Sequence, residues 1–237
     1  MKYYEADGLV LRRRNLGEAD RIITFYTREL GKISGVARGV RKIRSKLAGS
    51  LEPFIESRLR LVQGKSLDTV IGVKVTQIHR VPTDELTIFS TAMLLLEMVD
   101  RLTPDNHPNA EIYELLCESL TALSESQPSI AVQHYFSFKL LAALGYLPEI
   151  PITEIDHQGL WLDLEHGQFG NQKGSEIQAV AITQNTLKLW KLCQIGRLTD
   201  ILRVRDVEEL SRQALIALDR FYQYRFDIEF RASRFLD

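Results

Sequence analysis

The chain has 237 residues, of which 45% are hydrophobic and 26% charged. It is long enough to bury a core without disulfide staples, and its two cysteines, Cys117 and Cys193, argue for a reducing compartment rather than a disulfide framework. The formal charge of −1 hides a split: residues 1–80 hold seventeen Lys or Arg against eight Asp or Glu (+9), and residues 81–237 hold thirteen against twenty-three (−10).

Such a division points to a polyanion-binding front end on a body that does not touch phosphate, with clustered surface charge as the alternative. The start, Met1 to Asp7, has no apolar run, and no stretch approaches a membrane span, so a cytoplasmic, nucleoid-associated protein is expected.

Residues 1–80 read as short strands. Leu9 and Leu11, then Ile22, Ile23 and Phe25, open runs of β-forming residues. Arg58-Leu59-Arg60-Leu61 alternates, which turns the leucines inward and the arginines outward, and Thr69 to Val75 continues with period two. Gly17, Gly31, Gly35, Gly39, Gly49 and Gly64 punctuate the segment. A five-stranded OB-fold barrel fits this length.

Helical spacing begins after Pro82. One helix is expected from Leu86 to about Leu102, a second through Ile112 to Leu123, and a third from Ile130 to Leu144, stopped by Gly145. Residues 146–175 lose the pattern, and 149–175 read as a small β insert like a degenerate zinc ribbon, with a strand at Gly159 to Leu164. Helix returns after Thr183. The last long helix starts at a capping box, Asp206 with Glu209, and buries Leu210, Ala214, Ala217, Leu218, Phe221 and Tyr222. The fold class is therefore α+β: an OB barrel at 1–80 and a mainly helical domain at 81–237.

The densest functional signal is Gly31 to Lys46. It carries six cations, Lys32, Arg38, Arg41, Lys42, Arg44 and Lys46, and no acid lies between Glu29 and Glu52. A Gly-punctuated basic loop beside a barrel face is how OB-folds follow a phosphate backbone. A solvated loop is the alternative, but unopposed like charges repel, which favours an anionic partner. Arg12 and Arg14 add cations on one side of the first strand, with Arg13 on the other. Tyr26 is the candidate for base stacking, since Phe25 and Tyr26 point to opposite faces.

Phosphate loops of the Gly-x-x-x-x-Gly-Lys type, Gly-x-Ser-x-Gly elbows and dense carboxylate sets are missing, so no enzymatic activity and no cofactor are expected. Asp156, His157, Asp163, Glu165 and His166 match no ligand spacing and read as a solvated turn.

The order Gly8-Leu9-Val10-Leu11-Arg12-Arg13, Gly17-Glu18-Ala19-Asp20-Arg21-Ile22-Ile23, Val36-Ala37-Arg38-Gly39 and Leu47 to Phe54 resembles the N-terminus of the bacterial RecO family. Phe136 to Pro148 and Arg231 to Leu236 are similar to later family motifs. The resemblance implies an OB-fold, a helical domain and no catalysis. It implies binding to single- and double-stranded DNA, annealing, and RecR, SSB and, indirectly, RecA as partners. His134 and Lys139 on the third helix are the candidates for the acidic SSB tail. Many members carry a four-cysteine zinc site after the Gly-Tyr-x-Pro motif. No cysteine lies between Pro148 and Cys193, so no metal is expected, and the insert must be held by apolar contacts through Trp161, Leu162, Leu164 and Phe169. An OB-fold RNA-binding protein, or an adaptor for acidic protein tails, shares the same basic barrel.

Overall fold

A computed structural model describes residues 2–45, 47–151, 160–170 and 178–230. Five strands open the chain: β1 (Tyr3–Leu16), β2 (Asp20–Thr27), β3 (Gly31–Ala37), β4 (Ile55–Val62) and β5 (Asp68–Ile78). They close into a barrel of order β1-β2-β3-β5-β4, as an OB-fold requires. The single parallel pair, Gly35 with Asp68 and Val36 with Thr69, completes the closure. Alternation fills the interior with Val10, Ile23, Phe25, Ile33, Leu59, Leu61 and Val70.

In β1 the pairing with β2 jumps from Val10–Phe25 to Arg12–Thr24, leaving Leu11 as a bulge. Val10 and Leu11 are consecutive and both buried, the first inside the barrel and the second against the helices. The helices begin with α1 (Leu86–Leu102), α2 (Ala110–Ser124) and α3 (Ser129–Ala143), within a residue or two of the spacing read above. Asn109 caps α2, its side chain accepting the N–H groups of Glu111 and Ile112 at 3.0 and 3.3 Å. A small sheet of order β7-β6-β8 follows, from β6 (Trp161–Asp163), β7 (Phe169–Gly170) and β8 (Ala179–Ala181), so the insert runs past residue 175. Then come α4 (Gln184–Ile195), α5 (Leu198–Ile201) and α6 (Val207–Phe226).

The α3 helix is the axis of this body and packs against α1, α2, α4, α5 and α6. The Tyr222 hydroxyl of α6 donates to the Ser137 carbonyl at 2.7 Å inside it. The expected capping box of α6 is not formed. Asp206 takes a left-handed backbone (φ 56°) and makes no side-chain cap, and its carboxylate lies 3.6 Å from the Arg205 guanidinium instead. The buried stripe of α6 is as expected, with Leu210 only half-buried.

The barrel and the helices share one apolar cluster, to which β1 contributes Leu9 and Leu11, β2 Tyr26, and the segment before β4 Phe54. The Phe54 ring meets Phe89 of α1 edge-on at 5.9 Å. The backbone contact is close too. Asn106 N–H donates to the Lys32 carbonyl at 2.9 Å, and a Cβ on Gly31 would lie 2.2 Å from the His107 carbonyl oxygen.

Candidate nucleic-acid interface

The basic loop is folded, not trailing. Gly39 turns the chain with φ 65°, and its N–H donates to the Asp20 carboxylate at 2.7 Å. Arg41 N–H donates to the Ala19 carbonyl and the Arg41 guanidinium to the Gly17 carbonyl, both at 2.9 Å. Two successive turns follow, Lys42 N–H to the Gly39 carbonyl at 3.1 Å and Ser45 N–H to the Lys42 carbonyl at 2.9 Å. The loop is thereby pinned to the β1–β2 turn, and the side chains of Arg38, Arg41, Lys42 and Arg44 stand exposed around it.

The neighbouring barrel wall supplies an apolar strip. Register places Arg14, Ile22 and Val36 side by side across β1, β2 and β3, and Thr69 beyond them. Ile22 and Val36 face outward, are half-buried, and join neither apolar cluster. The next row is Arg12, Thr24 and Ser34. Ile22 and Val36 were not singled out from sequence. The available signal was their alternation with Ile23, Gly35 and Ala37, which leaves two β-branched residues on the outside of a wall flanked by arginines.

Charge pairing separates the cations of the barrel into two sets. Arg13 and Arg21 both hold Glu52. Arg28 holds Glu114, and Arg58 reaches Asp7, Glu29 and Glu5 at 3.1–3.4 Å. Arg60 lies 3.3 Å from Glu5. By contrast, among the described residues Arg14, Arg38, Arg41, Lys42 and Arg44 at the β1–β2-turn end of the barrel make no ion pair, the Arg41 guanidinium being held by the Gly17 carbonyl; Lys2, Lys65, Lys74 and Arg80 make none either but lie away from that end. Lys46 lies outside the described residues.

Three sequence expectations change. Lys32 does not face phosphate. Its side chain is only 13% exposed, and its ammonium donates to the Asp100 carbonyl at 2.6 Å and lies 3.4 Å from the Asp105 carboxylate. Tyr26 is not a stacking platform. The outer face of β2 is covered there by the helical body, so the ring is fully buried and its hydroxyl donates to the Asn109 carbonyl at 3.4 Å. Burial pushes this phenol up to about 12. Arg12 leans to the same side and pairs with Asp100 at 2.8 Å, although 58% of its side chain remains exposed.

The α3 candidates change as well. His134 is fully buried, and its Nε2 accepts the Trp190 indole N–H at 3.1 Å. Burial pushes its pKa down to about 3, so it is neutral and out of reach of a carboxylate tail. Lys139 is half-buried. Its ammonium donates to the Gln194 carbonyl at 3.2 Å and shares a shallow pocket with Glu111, Glu114 and Glu118, surroundings that repel an acidic peptide.

The four-thiolate zinc site has no residues to build it here. In the described part of the insert, Leu160, Leu162 and Leu164 are buried in the main cluster, and Phe169 meets Trp190 edge-on at 6.2 Å. Asp163 accepts the N–H groups of Glu165 and His166 and lies 2.7 Å from His166 Nδ1, an exposed turn. Asp156 and His157 lie outside the described residues.

Cys193 is core. Cys117 is only partly covered and groups with Glu56 and His79, one ligand atom of each lying within 4.8 Å of the others. His79 Nε2 is 2.6 Å from Glu56 Oε1, and the Tyr113 hydroxyl donates to Glu56 Oε2 at 3.3 Å. The His79 hydrogen bond, against the cost of burial, keeps the Glu56 carboxyl below its ordinary range. These donors satisfy the carboxylate and fasten β4 and the end of β5 to α2.

A closed five-stranded OB barrel with an unpaired cationic rim, welded to a helical body, defines a class of OB-fold proteins. The family model for "Recombination protein O N terminal" matches residues 1–79, and that for "Recombination protein O C terminal" matches residues 84–151. The chain belongs to the RecO family. It is 39% identical over 168 residues to a protein of Heliobacterium modesticaldum named DNA repair protein RecO, covering 68% of this chain and 61% of that one. A protein of the same name from Pelotomaculum thermopropionicum is 29% identical over 252 residues, covering 100% of this chain and 94% of the relative. One from Cutibacterium acnes is 36% identical over 157 residues, covering 63% and 64%. No described helix is long and apolar enough to cross a membrane.

Proposed function

We propose that this protein acts in DNA repair as a recombination mediator that binds single- and double-stranded DNA at the β1–β2-turn end of its barrel and anneals complementary strands. One observation carries the reading. Arg14, Arg38, Lys42 and Arg44 are exposed and free of ion pairs among the described residues, while most other barrel arginines are matched with acids. An isolated set of cations beside a half-open apolar strip suits a polymer with phosphates on one side and bases on the other.

The part played is binding and positioning, without bond-making chemistry. Neutralising phosphates on two strands removes the repulsion that opposes their pairing. RecR and SSB are the expected partners, and RecA loading the expected outcome, in the cytoplasm at the nucleoid. The surroundings of His134 and Lys139 direct the SSB tail to a surface other than these two residues. The deciding experiment is annealing of SSB-coated complementary oligonucleotides with and without the matching RecR, with RNA and an acidic peptide as competitors. Annealing that RecR stimulates and DNA competes best supports the reading. Preferential competition by RNA or the peptide overturns it.

A further inference from the structure

Ile43 sits at the tip of the basic loop with 104% of the exposure of a free isoleucine. It is presented there by design of the backbone. It lies inside the turn closed by Ser45 N–H on the Lys42 carbonyl at 2.9 Å, and that turn follows directly on the one pinned to Gly17 and Ala19. Its neighbours Arg41, Lys42 and Arg44 are all exposed, and Ile43 joins neither apolar cluster. A loop that needed only solvation would do as well with Ser or Asn at this point. An apolar tip ringed by cations is matched by a partner that offers negative charge and, a few ångströms away, flat apolar surface. Unpaired nucleic-acid bases behind their phosphates are such a partner. Apolar side chains are used elsewhere as wedges between base steps.

We propose that Ile43 is a base-contacting wedge: as Arg38, Lys42 and Arg44 take the phosphates of single-stranded DNA, the isoleucine enters the base stack and opens one step. The proposal rests on the DNA-binding reading above and extends it from phosphate capture to base presentation. An opened step exposes base edges to the complementary strand, which gives annealing a starting point. The contact is apolar and therefore tolerant of sequence, unlike hydrogen-bonded readout.

The test uses the full chain, oligonucleotides carrying 2-aminopurine, and two variants. On wild-type binding, 2-aminopurine emission rises as the base unstacks. Ile43→Ser leaves the salt dependence of affinity unchanged, because the phosphate contacts remain, but weakens binding by about five- to ten-fold, the worth of one buried apolar contact. It also abolishes the emission rise and slows annealing. Ile43→Trp keeps the affinity, and its added emission is quenched by stacked bases on DNA addition. Wild-type affinity and emission rise in Ile43→Ser, or an Ile43→Trp emission indifferent to DNA, overturns the wedge while salt-dependent binding still stands; the tip would then serve a protein partner. Failure of the wild-type chain to bind DNA at low salt is a different result, and it overturns the DNA-binding reading together with the wedge.

Discussion

Replacing Arg38, Lys42 and Arg44 together with Ala should remove three of the four rim cations that neither an acid nor a carbonyl holds, and leave Arg14; Arg41 stays on its Gly17 carbonyl. Each phosphate of single-stranded DNA that a cation neutralises contributes about −0.7 to the slope of log affinity against log salt. Four contacts give a slope of about −2.8, so raising salt from about 50 to about 200 mM weakens wild-type binding about fifty-fold. The triple variant, with one contact left, should show a slope of about −0.7 and lose about threefold or less over the same range. The loss should be uniform across sequences, since phosphates carry no base identity. Folding should be unaffected, because exposed side chains without partners add little to stability. Arg58→Ala is the matched control. Arg58 is engaged with Asp7, Glu29 and Glu5, so its loss should leave the slope unchanged. Fluorescence anisotropy with labelled oligonucleotides at four or five salt concentrations reads all three proteins. A folded triple variant with the wild-type slope, or a flattened slope in Arg58→Ala, refutes the assignment of the rim.

Lys32→Ala should cost about 2–3 kcal/mol of stability by urea unfolding and leave the salt slope intact, because Lys32 ties β3 to the end of α1 and the turn after it. Tyr26→Phe should leave DNA affinity unchanged, whereas Tyr26→Ala should destabilise by about 3–5 kcal/mol, the cost of emptying an aromatic site in the core. His134 is neutral in the fold and protonates in the unfolded chain below about 6.5. Above that pH folding releases no proton from it, and stability falls by about 1.4 kcal/mol per unit as pH drops from about 6.5 towards about 3. In His134→Gln, which keeps an acceptor for Trp190 but cannot titrate, the loss between pH 7 and pH 5 should be about 2 kcal/mol smaller than in wild type by urea unfolding. Elemental analysis after dialysis against chelator should find no stoichiometric zinc, since no thiolates lie between Pro148 and Cys193.

Alternation and helical spacing made the elements legible: the inward leucines of β4, the three helices from Leu86 to Ala143 and the stripe of α6 all stand where their periods place them. The basic loop was legible too, because charge in an exposed loop needs no knowledge of neighbours. What sequence could not supply was cover. Period two puts Tyr26 and Lys32 on the outside of the barrel, but only the tertiary structure puts the α1–α2 connection over them. His134 had a signal that went unused. Apolar residues occur on every side of α3, from Ala131 and Val132 through Phe136 and Phe138 to Leu141, and a helix apolar all round is a central one. The Asp206–Glu209 spacing suggested a cap, but a capping box also requires an extended backbone at the first residue, and Asp206 is left-handed.

The close backbone approach at Gly31 and His107 bears on modularity. OB barrels elsewhere are exchangeable parts, joined to other domains by slack linkers. Here, severing the chain after β5 would leave Leu9, Leu11, Tyr26 and Phe54 facing water as one sticky patch. The isolated barrel should therefore associate with itself rather than behave as a miniature of the whole. The cationic rim and the helical surface then move as a single lever, so any partner seated on the helices would carry the rim with it, without a hinge between them.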